Sequence, residues 1–116
     1  IAEDDAIVGM LLSQFLTESG CTVCATAATE ADAVALAAQF QPDLVIADSS
    51  LRGGNGVSAV ETILSGRATP LAQIFITGSP YGVRARRPDA VVLRKPFRNE
   101  ELLAAIERAL EAVTRV

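Results

Sequence analysis

Pro42-Asp43-Leu44-Val45-Ile46-Ala47-Asp48-Ser49-Ser50 is the stretch that decides the fold. Four apolar residues in succession, two of them β-branched, read as a short strand buried on both faces, the kind found inside a parallel sheet. The run stops at Asp48, and a glycine cluster follows at Gly53, Gly54 and Gly56. A carboxylate at the exit of such a strand lies on the sheet edge where ligands and chemistry collect in open α/β folds. Asp48 is therefore the candidate nucleophile, a carboxylate placed to accept a phosphoryl group.

Outward from this strand the chain alternates. On the amino side, Ile1-Ala2 reads as the tail of a first strand, ending in Glu3-Asp4-Asp5. From Ala6 to Ser19 the residues Ile7, Val8, Met10, Leu11, Leu12, Phe15 and Leu16 share one broad helical face, and Gly20 supplies a stop. Thr22 to Thr26 is a second strand. Thr29-Glu30-Ala31-Asp32 has the form of a capping box for a helix over 31–40, with Val34 and Ala38 expected inward. Gln41-Pro42 breaks it.

On the carboxyl side, a helix over 57–65 stops at Gly66, and Ala72 to Ile76 is a fourth strand ending in Thr77-Gly78. Ser79 to Asp89 holds Pro80, Gly82, Pro88 and three arginines (Arg84, Arg86, Arg87) without a helical stripe, so a fourth helix is expected to be short or irregular. Ala90 to Leu93 is a fifth strand, closed by Arg94-Lys95-Pro96-Phe97. Asn99 is expected to cap a last helix whose inner face carries Leu102, Leu103, Ile106, Leu110 and Val113. Strands alternating with helices imply a parallel sheet, right-handed crossovers and helices on both faces.

Bulk properties bound the function. The 116 residues make one domain spanning 1–116, half hydrophobic and 21% charged, as suits a globular protein. A net charge of −4 gives no footing for nucleic acid or anionic membrane. The absence of histidine removes imidazole-based triads, metal sites and pH switches. No apolar run approaches the ~18 residues of a membrane span. Cys21 and Cys24 spell C-x-x-C, but residues three apart on a strand point to opposite faces. With no second pair and no histidine to complete a zinc site, they read as ordinary strand residues in a reducing cytoplasm. The chain opens at Ile1 in what reads as half a strand, as expected of a piece of something longer.

If all strands are parallel, their carboxyl ends share one edge. That edge collects Glu3 and Asp4, then Asp48, Thr77 and Lys95. Each has a plain structural reading: a turn-forming Asp, an acidic first helical turn, a turn hydroxyl, a solvated lysine. Their joint occurrence in the right slots is what carries weight. Three adjacent carboxylates repel unless a cation intervenes, and an all-oxygen set suits Mg²⁺ before Zn²⁺. A hydroxyl and an ammonium beside them can hold a dianion, which completes the parts that phosphoryl transfer needs.

The order Glu3-Asp4, Asp48, Thr77, Lys95-Pro96-Phe97 resembles the receiver domain of bacterial two-component response regulators (CheY-like), over the whole chain. The resemblance implies a three-layer flavodoxin-like (βα)5 fold with a parallel five-stranded sheet of order 2-1-3-4-5. It implies that Asp48 takes phosphate from a histidine kinase or a histidine phosphotransfer protein as an acyl phosphate. It further implies that Asp4, Asp48 and the Ser50 carbonyl bind Mg²⁺ directly while Glu3 acts through water. Thr77 then bonds the phosphoryl oxygen, and Lys95 pairs with it and with Asp48. Such a domain is a signalling element that catalyses its own phosphoryl chemistry; its output partner is open, and a homodimer is compatible.

Two departures and one subgroup likeness stand out. Leu51 is followed by Arg52 where the family often has proline. Val92, three residues before Lys95, occupies the usual place of a switch aromatic. Phe75-Ile76-Thr77-Gly78 with Tyr81 resembles a subgroup with a Phe-x-Thr-Gly-Tyr-like motif and a reduced fourth helix. Tyr81 with the three arginines is a candidate partner surface. Among rivals, haloacid-dehalogenase-type phosphatases need D-x-D where Asp4-Asp5-Ala6 offers alanine, and an FMN-binding loop cannot be built from Glu3-Asp4-Asp5. The remaining alternative is a receiver-like binding module that signals without phosphorylation.

Overall fold

The structure, a computed structural model, describes residues 1–114; residues 115 and 116, the end of the expected domain span, lie outside it. The elements run α1 (Ala6–Glu18), α2 (Glu30–Phe40), β1 (Leu44–Asp48), β2 (Ser50–Leu51), β3 (Gly54–Asn55), α3 (Gly56–Ser65), β4 (Ala72–Thr77), α4 (Pro80–Arg86), β5 (Val91–Arg94) and α5 (Asn99–Thr114).

β1, β4 and β5 form a parallel sheet in that order, with Ile46 opposite Ile74 and Ile76 opposite Leu93. The two strands expected at Ile1-Ala2 and Thr22 to Thr26 are not regular strands: the amino-terminal segments join the sheet only through isolated bridges at Ala2 and Ala27. Ala2 bridges Ala47 on one side and Ala27 on the other, with Ala2 N–H on Ile46 O and Glu3 N–H on Ala27 O, both at 2.8 Å. The spatial order is therefore the flavodoxin-like 2-1-3-4-5, with single bridges joining its first two members.

Alternation along the strands builds two cores. Val45, Ala47 and Phe75 face one layer with Ala33, Ala37, Val57, Val60 and Val83 of α2, α3 and α4. Ile46, Ile74, Ile76 and Leu93 face the other with Leu12 and Leu16 of α1 and Leu102, Ala105 and Ile106 of α5. No helix among the described residues is long and apolar enough to cross a membrane.

Several local expectations are corrected. In α2 the inward residues are Ala33 and Ala37; Val34 is half-buried and Ala38 is exposed, because the stripe runs one position earlier. In α1 only Leu12 and Leu16 of the apolar face are buried, while Ile7, Met10 and Leu11 stand in solvent. In α5 the buried seam is Leu102-Ala105-Ile106-Ala109, leaving Leu103 and Leu110 at its rim. Asn99 is inside that helix rather than capping it: Arg98 O accepts the first helical bonds, and Glu101 Oε1 reaches back to Arg98 N–H at 3.0 Å. This is the N3 half of a capping box. α4 is short, as expected, but a regular helix of about two turns that starts on Pro80, whose fixed φ suits a first helical position. Arg86 pairs with Glu61 and Arg87 donates to Gln73, so the arginine cluster is divided between neighbours. Cys21 and Cys24 are both free thiols.

Candidate functional site

Asp48 is the last residue of β1 and only 7% exposed. The chain turns there because Ser50 N–H donates to Asp48 Oδ1 at 2.9 Å, a local side-chain turn that Asp forms readily. A two-rung hairpin of β2 and β3 follows, made possible by Gly53 (φ 68°) and Gly54 (φ 153°). Glu30 of α2 anchors the hairpin by accepting Asn55 N–H at 3.1 Å, and Asn55 Oδ1 caps α3 through Ser58 N–H at 2.7 Å. At Gly56 the backbone runs so close to Asp48 that a Cβ would lie 2.0 Å from the Asp48 carbonyl oxygen.

The other strand ends converge on this point. Lys95, just beyond β5, places Nζ on Asp48 Oδ2 as an ion pair, and its N–H bonds Thr77 O at 2.9 Å. The lysine side chain is 42% exposed against 8% for the aspartate, so it covers the carboxylate from the solvent side. Thr77, the last residue of β4, is 4% exposed. Its Oγ1 accepts the Ser49 hydroxyl at 2.9 Å and the Ser79 N–H at 3.0 Å.

The acidic triplet divides its labour. Asp5 caps α1, its Oδ1 accepting Ile7 N–H at 2.9 Å and Val8 N–H at 3.1 Å. Glu3 is 9% exposed and turns Oε2 to Asp5 N–H at 3.1 Å. Burial pushes its carboxyl above the usual range; Asp48 and a hydrogen bond with Asp4 push the same way, opposed by the Asp5 N–H and Lys95. These influences put Glu3, Asp4, Asp48 and Lys95 in one electrostatic neighbourhood, which is also the neighbourhood the strand ends predict.

Oxygen donors of this kind suit a hard divalent cation, and a partly desolvated Glu3 beside Asp48 is charge that a cation would offset. Among the described residues no three acidic or thiol side chains are gathered into a ready metal cage. Lys95 and the Ser50 N–H hold the two oxygens of Asp48, and the Asp5 N–H holds Glu3 Oε2. Ser50 is exposed. An apolar cavity of about 410 Å³ lies elsewhere, at the amino ends of the strands among Ile1, Cys21, Val23, Val45 and Ile106, and none of Asp48, Thr77 or Lys95 lines it.

Sequence reasoning missed three residues. Ser49 and Gly56 flank the phosphoacceptor candidate in space, and Glu30 holds its loop. Only Gly56 carries a signal in the chain, as part of the glycine cluster. Val92 is half-buried against the layer of α2, α3 and α4.

Comparison with known proteins agrees with this geometry. The family model for the response regulator receiver domain matches residues 1–107. The transcriptional regulatory protein PdtaR of Mycobacterium tuberculosis is 37% identical over 112 residues, 95% of this chain and 55% of that protein. The phyllosphere-induced regulator PhyR of Methylorubrum extorquens is 33% identical over 114 residues, 95% of this chain and 42% of that protein. The chain thus spans about half the length of these relatives. The solution structure of the Erythrobacter litoralis PhyR receiver domain superposes with a TM-score of 0.87 at 32% identity, covering all of this chain and 91% of that one. A buried strand-end aspartate under a lysine, on a sheet of this order and with these relatives, makes the chain a member of the response regulator receiver domain family of two-component signalling.

Proposed function

We propose that Asp48 is the phosphoacceptor, and that a histidine kinase or a histidine phosphotransfer protein is the donor. An Asp48 carboxylate oxygen attacks phosphorus, the P–N bond of the phosphohistidine breaks, and the electron pair leaves with the imidazole. The product is an acyl phosphate at residue 48. The observation that carries this reading is the meeting of Asp48 and Lys95 with Thr77 beside them at one sheet edge. Lys95 contributes a positive charge that can follow the phosphoryl oxygens as charge moves off the carboxylate, and Thr77 contributes a hydroxyl donor.

Glu3, Asp4, Asp48 and the Ser50 carbonyl are the groups that would hold Mg²⁺. When bound, the ion neutralises negative charge on the carboxylates and the incoming phosphoryl group. Glu3 and Asp4 keep the edge acidic, which selects a cation-accompanied donor over a bare anion. The phosphorylated domain changes its binding to an output partner through the surface around α4 and β5, where Tyr81 is 89% exposed.

A second reading, a binding module that signals without phosphorylation, draws on Val92, which cannot act as a rotating aromatic. Incubation with acetyl phosphate and Mg²⁺ separates the two. The parent should gain the mass of one phosphoryl group and Asp48→Asn should not. A parent that gains nothing supports the second reading, and an Asn variant labelled like the parent removes Asp48 from its role.

A further inference from the structure

We propose that Ser49 is a positioning residue that holds the Thr77 hydroxyl in the orientation from which it donates to a phosphoryl oxygen. The proposal rests on the reading of Asp48 as phosphoacceptor and adds a residue which that reading does not use.

A threonine hydroxyl offers one donor and two acceptor sites. Ser49 Oγ lies 2.9 Å from Thr77 Oγ1, and the Ser79 N–H donates to the same oxygen at 3.0 Å; with the Ser49 hydroxyl as the donor, both acceptor sites of Thr77 are filled. Only its own proton remains, aimed along the remaining direction of the oxygen. A phosphoryl oxygen can only accept, so this arrangement leaves Thr77 in the role that such a ligand requires. Without Ser49 the hydroxyl gains an open acceptor site and freedom to rotate.

Ser49 is itself fixed. Its N–H donates to Ile76 O at 3.1 Å and its carbonyl accepts Gly56 N–H at 3.0 Å, so the backbone that carries the hydroxyl is held from both sides. Because Ser49 directly follows Asp48, the Ser49–Thr77 bond joins the end of β1 to the end of β4 at the level of the phosphoacceptor. A displacement of the Asp48 backbone is felt at Thr77 through one residue. The restraint on Thr77 is polar and comes from the segment that carries the reacting carboxylate.

The experiment measures binding of Mg²⁺ alone, by calorimetry, and of beryllofluoride with Mg²⁺, by ¹⁹F NMR, in the parent, Ser49→Ala, Ser49→Thr, Thr77→Val and Ser49→Ala/Thr77→Val. Ser49→Ala should weaken beryllofluoride binding about fivefold, the worth of one oriented hydrogen bond, and leave Mg²⁺ affinity as in the parent. Ser49→Thr, which keeps the hydroxyl, should restore it. In the Thr77→Val background the alanine substitution should cost nothing further, since the bond it removes is already gone. The proposal is overturned if Ser49→Ala binds beryllofluoride like the parent, if Ser49→Thr is as weak as Ser49→Ala, or if the alanine costs as much in the Thr77→Val background as it does in the parent. A parent that binds no beryllofluoride and takes up no phosphoryl group overturns the Asp48 reading itself. A labelled parent with an indifferent Ser49→Ala overturns only the role of Ser49.

Discussion

Gly56→Ala puts the packing around Asp48 to a quantitative test. A methyl group there would lie 2.0 Å from the Asp48 carbonyl oxygen, 2.9 Å from its carbonyl carbon and 3.2 Å from Ala47 Cβ. The first contact is roughly an ångström and a half inside ordinary van der Waals distance, and the obstacle is backbone, which cannot swing aside. Relief requires β1 and α3 to separate, which strains the Gly56 N–H bond to Ser49 O. Overpacking of this kind costs about 1–3 kcal/mol. With a urea m-value of about 1–3 kcal/mol/M, the unfolding midpoint should fall by roughly 1 M with the slope unchanged. Because the carbonyl that must move belongs to Asp48, phosphoryl uptake should slow in the same variant. Gly82→Ala is the matched control: nothing lies within 4 Å of its would-be Cβ, it sits within α4, and its φ is not positive. That change should be neutral or stabilise by about 0.5–1 kcal/mol. A Gly56→Ala protein with the parent's midpoint would refute the close approach of α3 to Asp48.

If Mg²⁺ binds the acidic edge of the folded chain as proposed, and not the unfolded chain, then at about 100 times its dissociation constant it should add about 2.7 kcal/mol, on the order of 10 °C in Tm for a chain of this size. An unchanged Tm would remove Mg²⁺ from the account. The Glu3 carboxyl is raised by burial, so the folded state holds its proton to higher pH than the unfolded state does. Stability from this group is full below the unfolded glutamate pKa and is lost as pH rises through the folded value. Without metal, Glu3→Gln should therefore gain Tm over the parent at neutral pH, with the gap closing toward about pH 4; parallel pH profiles would contradict the burial argument.

The layer structure was legible because the periods are clear. Leu44 to Asp48 and Ala72 to Thr77 are apolar runs of strand length, and the capping sequence at Thr29 does what its pattern says, Thr29 Oγ1 accepting Asp32 N–H at 3.1 Å. Three features were not legible, each for a physical reason. The hairpin at 50–55 depends on Glu30, twenty-five residues away in the chain, accepting Asn55 N–H, so the glycines alone read as an open loop. The inner faces of α2 and α5 settle on alanines (Ala37, Ala105, Ala109), because close approach of helix to sheet favours small residues over the larger apolar ones that mark a stripe in sequence. The Asn99 cap gave way to Glu101, whose side chain reaches back to the N–H that the helix leaves open. At the site, Asp48, Thr77 and Lys95 could be placed from strand ends alone. Ser49 could not: a serine after an aspartate is an ordinary turn residue until the register of β1 and β4 sets it against Thr77.

The most direct test of the central claim locates the new bond. After reaction with acetyl phosphate and Mg²⁺, borohydride reduction converts an aspartyl phosphate to homoserine, and peptide mass mapping reads its position. Homoserine is expected at residue 48 and nowhere else. Homoserine at Asp4 or Asp5, or none in a protein that remains folded, would contradict Asp48 as the phosphoacceptor.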